Sequence, residues 1–113
     1  MERVPANGRA MEAKRQPPPE LTLVVLLFLH PDRETEFERF EASAAKIMGR
    51  HGGRIERRIS FAGKNDPSQP DEVHVVTFPD RESFERYRSD PAIQALAELR
   101  ARAIRETIIW SAP

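Results

Sequence analysis

The sequence predicts an α+β domain built in two layers, and three observations carry that prediction. Its elements read in the order β-α-β-β-α-β. The helical stretches each carry one apolar stripe, so they can cover one face of a sheet. The first strand is apolar at both parities, which places it centrally and asks for cover on both of its faces.

Residues 1–19 are mostly charged, small or proline residues. They hold too little apolar area to offset the entropy of ordering, so a disordered tail is expected, followed by one domain over 20–113. The tail has no apolar core of the kind a secretion signal needs. Met11 within it is a second candidate start.

The run Leu21 to Leu29 follows Pro17-Pro18-Pro19, which favours extended backbone, and it is far shorter than the roughly 20 residues of a membrane helix. It reads as a buried strand. Asp32 is the expected N-cap of a helix over Arg33 to Arg50. Phe37, Phe40, Ala44, Ile47 and Met48 recur there at spacings of three and four. Gly52-Gly53 supplies the left-handed stop.

Arg54 to Phe61 alternates, with Ile55, Arg57, Ile59 and Phe61 on one parity and Arg54, Glu56, Arg58 and Ser60 on the other. This is the pattern of a half-buried edge strand. Gly63 to Asp71 is turn-rich and is expected to be a mobile loop, leading to a third strand over Glu72 to Phe78 in an antiparallel hairpin. Pro79-Asp80 opens a second helical region. Asp90 and Pro91 interrupt and restart it, and Ile93, Leu96, Ala97, Ala103 and Ile104 form its stripe. Thr107 to Trp110 is the last strand. The sum is a ferredoxin-like four-stranded antiparallel sheet with helices on one face. The chain has no spare element for the other face, so a second copy packing sheet to sheet is expected.

Eighteen basic side chains balance eighteen acidic ones, so no overall charge argues for nucleic acid. With no cysteine, disulfides, thiolate metal sites and a cysteine nucleophile are excluded. The three histidines lack metal-ligand spacing, and neither a phosphate loop nor a dinucleotide fingerprint is present, so neither a metal nor a cofactor is expected. A cytoplasmic address is the default, with no membrane partner.

The stretch from Phe78-Pro79-Asp80 through Tyr87, Asp90-Pro91 and on to Arg100 resembles the strand, helix, Asp-Pro, helix, Arg segment of small dimeric α+β barrel proteins. That superfamily includes stress-responsive barrel proteins, antibiotic-biosynthesis-type monooxygenases, muconolactone isomerases and members of unknown function. The nearest resemblance is to an uncharacterised family among them. It implies a homodimer with a cleft between the sheet and its helices or the barrel wall. It does not imply a reaction, because relatives on this architecture differ in chemistry.

Five residues stand out for chemistry. Arg100 falls in the middle of an apolar stripe. There it either anchors a carboxylate or enolate, pairs with a carboxylate such as Asp90 or one from a partner chain, or runs its stem along the core to water. His74 lies among valines and is either a general base or a hydrogen-bonded core histidine. If Phe78 points to the helices, His74 and Val76 do too. Arg58 is either part of a polar cleft wall or a solvated edge residue. Tyr87 and Trp110 either frame an aromatic ligand or anchor a core or interface.

Two functional readings follow. One is a cofactor-independent enzyme or binder for a small aromatic or enolisable molecule, with His74 as base, Arg100 and Arg58 holding the anion, and Tyr87 and Trp110 as walls. The other is a non-catalytic homodimeric interaction module. A cavity of several hundred cubic ångströms lined by convergent polar groups favours the first.

Overall fold

The computed structural model describes residues 20–61 and 65–112. The expected disordered tail and the first residues of the expected mobile loop lie outside that range. The elements are β1 (Leu21–Leu29), α1 (Glu34–Arg50), β2 (Arg54–Ser60), β3 (Glu72–Phe78), α2 (Arg81–Ser89), α3 (Pro91–Gln94), α4 (Ala97–Ala103) and β4 (Ile104–Ala112). All three strand pairings are antiparallel, in the order β2-β3-β1-β4, so β1 and β3 are central and β2 and β4 form the edges. No helix among the described residues is long and apolar enough to cross a membrane.

Register sorts the side chains. Leu21, Leu23, Val25 and Leu27 of β1 pair with Phe78, Val76, His74 and Glu72 of β3, and this set faces the helices. Phe37, Phe40 and Ala44 of α1 join Leu27, Ala103 and Ile104 in one apolar cluster. Met48 and Phe84 join Leu21, Leu23, Val76 and Phe78 in another. Thr22, Val24 and Leu26 point to the opposite face beside Val73, Val75, Ile108 and Trp110.

Three local expectations need correction. Asp32 does not cap α1. It sits in the preceding turn at φ 59°, and Arg33 occupies the cap position with no side-chain hydrogen bond. The simple alternation read for β2 fails because a bulge at Glu56 shifts the register between Ile55 and Arg57. Ile55 therefore shares the helix-facing side with Arg58, while Ile59 turns to the other side opposite Val73. The second helical region is three short helices, and Ile104 opens β4 instead of ending a helix. The described part of the expected loop is turn and coil, as read, and two of its carboxylates accept hydrogen bonds. Asp66 accepts hydrogen bonds from the Ser68 backbone and hydroxyl at 2.9 and 2.7 Å, and the Asp71 carboxylate accepts from Leu29 N–H at 2.7 Å.

The stop of α1 and the caps of α2 and α3 follow the sequence. Gly52 adopts φ 77°, the Gly53 N–H donates to Met48 C=O and the Gly52 N–H to Gly49 C=O, a Schellman stop. Asp80 accepts from Ser83 N–H and Asp90 from Ala92 N–H, each at 2.8 Å, so both cap their helices. These caps set the roof that α2, α3 and α4 make over β1 and β4.

Candidate functional site

A cleft of about 730 Å³ opens between the helix-facing side of the sheet and the helices. Leu23 and Val25 of β1 and Thr107, Ile109 and Ser111 of β4 form its floor. α1 gives one wall through Glu41, Ala44 and Met48, and α2 to α4 give the roof through Phe84, Tyr87, Ile93 and Arg100. The three β4 residues line it together because strand parity sends every second side chain the same way.

At the inner wall lies a chain of titratable groups. His74 is 3% exposed, and its Nε2 lies 2.7 Å from Glu72 Oε1. Its Nδ1 lies 3.6 Å from Glu41 Oε1. Glu72 also accepts from Arg58 Nη2 at 3.0 Å, and Arg58 reaches Glu38 at 2.9 Å. Phe37 flanks both His74 and the Arg58 guanidinium. Burial pushes the Glu41 carboxyl above its ordinary value, against the opposing pull of His74 and Arg58. The two carboxylates meet opposite ring nitrogens and do not converge. Among the described residues no three His, Cys, Asp or Glu side chains form a group able to hold a metal ion.

Arg100 is not paired with Asp90. Asp90 Oδ2 lies 2.8 Å from His51 Nε2, tying the end of α1 to the start of α3. Arg100 instead donates through Nη2 to Thr107 Oγ1 at 2.7 Å, across the mouth of the cleft. Among the described residues no carboxylate lies within ion-pair distance of it. Tyr87 packs against Phe78 and is pushed up to about 12, chiefly by burial, then by the negative Glu41, with Arg100 pulling the other way. Glu41, Tyr87 and Arg100 therefore share one field.

The structure brings three of the five sequence-selected residues, His74, Tyr87 and Arg100, to this cleft. It does not bring the other two. Arg58 is engaged by Glu38 and Glu72 behind His74. Trp110 projects from the opposite face of the sheet and is 58% exposed. Sequence reasoning missed Glu41, although its signal was present. Glu41 is one turn on from Phe37 and next to Phe40, on the buried stripe of α1, which is the kind of misplaced charge that singled out Arg100. It also missed Arg81, whose Nη2 donates to Ser111 Oγ at 3.2 Å at the far end of the cleft.

The arrangement offers a buried acid–base couple, Glu41 with His74, open to an apolar cavity with a guanidinium and a phenol nearby. It can take a proton from a weakly acidic C–H or O–H and hold the anion that results.

Solved structures share the fold. A protein of unknown function from Rhodopseudomonas palustris superposes with a TM-score of 0.69 at 14% identity, covering 94% of this chain and 90% of its own. SnoaB, a cofactor-independent oxygenase from Streptomyces nogalater, gives 0.60 at 21% identity over 83% and 93%. A dimeric ferredoxin-like protein of unknown function from Thermobifida fusca gives 0.61 at 12% over 82% and 89%. At these identities the likeness is one of fold. No curated protein matches the chain. One family model covers residues 23–111, from β1 to β4, and the chain thus belongs to the DUF1330 family, a domain of unknown function.

Proposed function

We propose that this protein is a cofactor-independent enzyme acting on a small, enolisable, aromatic or otherwise largely apolar molecule bound as an anion. The observation that carries this reading is the buried Glu41–His74 couple opening into an apolar cavity beside Arg100 and Tyr87. Glu41 takes the substrate proton, because a carboxyl raised by burial is a stronger base than one in water. His74, fixed by Glu72, holds that carboxylate in place. The electron pair left on the substrate is delocalised into its carbonyl, and Arg100 and Tyr87 are the donors that hold the oxyanion. A cleft of this size is within the range of small-molecule sites, which favours ligand chemistry over a purely structural module. The resemblance in fold to an oxygenase described as cofactor-independent is compatible with the reading.

The same proposal includes a homodimer of 20–113 formed through the uncovered sheet face. Val24, Leu26, Val73, Val75, Ile108 and Trp110 lie there with no described element over them, and one relative is described as dimeric.

The test is hydrogen–deuterium exchange at carbon. A panel of enolisable aromatic ketones is incubated with the protein in deuterated buffer and followed by NMR. Wild type is expected to accelerate exchange for at least one member. Glu41→Gln should lower that rate by about 10²-fold or more, and Arg100→Gln should weaken binding of the same compound. No acceleration by wild type across the panel, or full activity in Glu41→Gln, would overturn the assignment.

A further inference from the structure

The cleft presents not one anion anchor but two. Arg100 donates to Thr107 Oγ1 at one end, and Arg81 donates to Ser111 Oγ at the other. Both hydroxyl residues lie on β4 with Ile109 between them, and all three line the cleft. Thr107 and Ser111 are four residues apart on one side of a strand, which sets them roughly 13 Å apart at a rise of about 3.3 Å per residue. Between the two anchors the surface is apolar, with Leu23 and Val25 of the floor and Phe84 and Ile93 of the roof. Ile109 itself is 47% exposed, so the trough between them is open.

Charge along the cleft points the same way. Arg81, Arg88 and Arg100 line it, and Glu41 is the sole carboxylate among its lining residues. Glu85 lies 3.9 Å from Arg81 and 3.6 Å from Arg88 on the exposed surface of α2, distances at which a solvated pair adds little. Arg88 is also held over the Phe84 ring of the roof at 5.3 Å, so the Arg81 end keeps a positive potential beside an apolar surface.

We infer that the ligand of this cleft is a two-headed anion, an apolar body with an oxyanion, most simply a carboxylate, at each end, one held by Arg100 with Thr107 and the other by Arg81 with Ser111. This rests on the anion-binding reading above and deepens it: the head at Arg100 is the one whose oxygen becomes the oxyanion, and the head at Arg81 is the addition. A single-headed acid would leave one guanidinium–hydroxyl pair unused, whereas a molecule of matching length engages both.

Isothermal titration of the full chain with decanedioate and with decanoate separates the possibilities. Wild type is expected to bind the dicarboxylate about three- to fivefold more tightly than the monocarboxylate, the gain typical of one additional partly solvated ion pair. Arg81→Gln and Arg100→Gln, both at exposed positions and checked for unchanged melting temperature, should each bring decanedioate down to the level at which wild type binds decanoate. If wild type binds both probes equally, or Arg81→Gln keeps the full preference while Arg100→Gln abolishes binding, the two-headed inference fails and the single-anchor reading stands. If wild type binds neither probe at millimolar concentration, the anion cleft itself is refuted, and the two-headed ligand with it.

Discussion

Replacing His74 by leucine tests the inner wall of the cleft most directly. The ring is 3% exposed and stands between Glu72 and Glu41. Without it, Glu72 keeps Arg58, but Glu41 loses the group that most opposes its upward shift. Breaking a buried pair costs about 3–5 kcal/mol. Because Glu72 stays compensated and Glu41 borders the cleft, the cost falls below that range, to roughly 2–3 kcal/mol at pH 7.5. For a domain of this size that lowers the melting temperature by about 10–20 °C. The sign with pH follows from Glu41. Its protonated form carries no charge to strand, so at pH 4.0 the residual cost is that of unmet hydrogen bonds, about 1 kcal/mol. Urea denaturation of wild type and variant at both pH values, with the slope against denaturant checked for constancy, measures this. A destabilisation equal at the two pH values, or below about 1 kcal/mol at pH 7.5, would refute the coupling of His74 to Glu41.

Four further outcomes are expected. Glu41 has a raised folded-state pKa, so its contribution to stability is present below its unfolded value and is lost as pH rises through the folded one. Glu41→Gln should match wild type below about pH 4 and exceed it increasingly above, as read by urea midpoints. Asp90 has the opposite sign. Its hydrogen bond with His51 chiefly holds it below the carboxylate range, so Asp90→Asn should cost stability at pH 7, and the difference should vanish as acid protonates the wild-type carboxyl. A Cβ at Gly53 would collide with the Phe78 ring and with Met48 Cγ, so Gly53→Ala should destabilise by about 1–3 kcal/mol in the same urea assay. On the proposed dimer, Trp110→Glu, on the face opposite the cleft, should give a monomer in native mass spectra where wild type gives a dimer.

The fold was legible because its signals are local. β1 is apolar at both parities and is indeed central, and Gly52-Gly53 and Asp90-Pro91 stop and restart helices where their chemistry requires. The site was legible only in part. Arg100 broke the sequence stripe of its helix and could be noticed, although the structure leaves it exposed, and Glu41 broke the stripe of α1, where it is buried. The facing of Trp110 could not be read, because Ile108, Ile109 and Trp110 put apolar residues on both sides of β4. Nor could the fate of Arg58 be read. Its partners Glu38 and Glu72 lie 20 and 14 residues away, on elements whose packing no local pattern specifies.

The bulge in β2 has a consequence for insertions and deletions. Glu56 is the extra residue between Ile55 opposite Val76 and Arg57 opposite Val75. Removing one residue inside a strand ordinarily inverts everything beyond it. Here, excising Glu56 would leave Arg57, Arg58 and Ile59 opposite the same β3 partners and pointing the same ways. Only the Glu56 contacts to Arg54 and Thr77 would be lost. Position 56 is thus a place where this chain can lose one residue without disturbing the strand that braces Glu72 and His74.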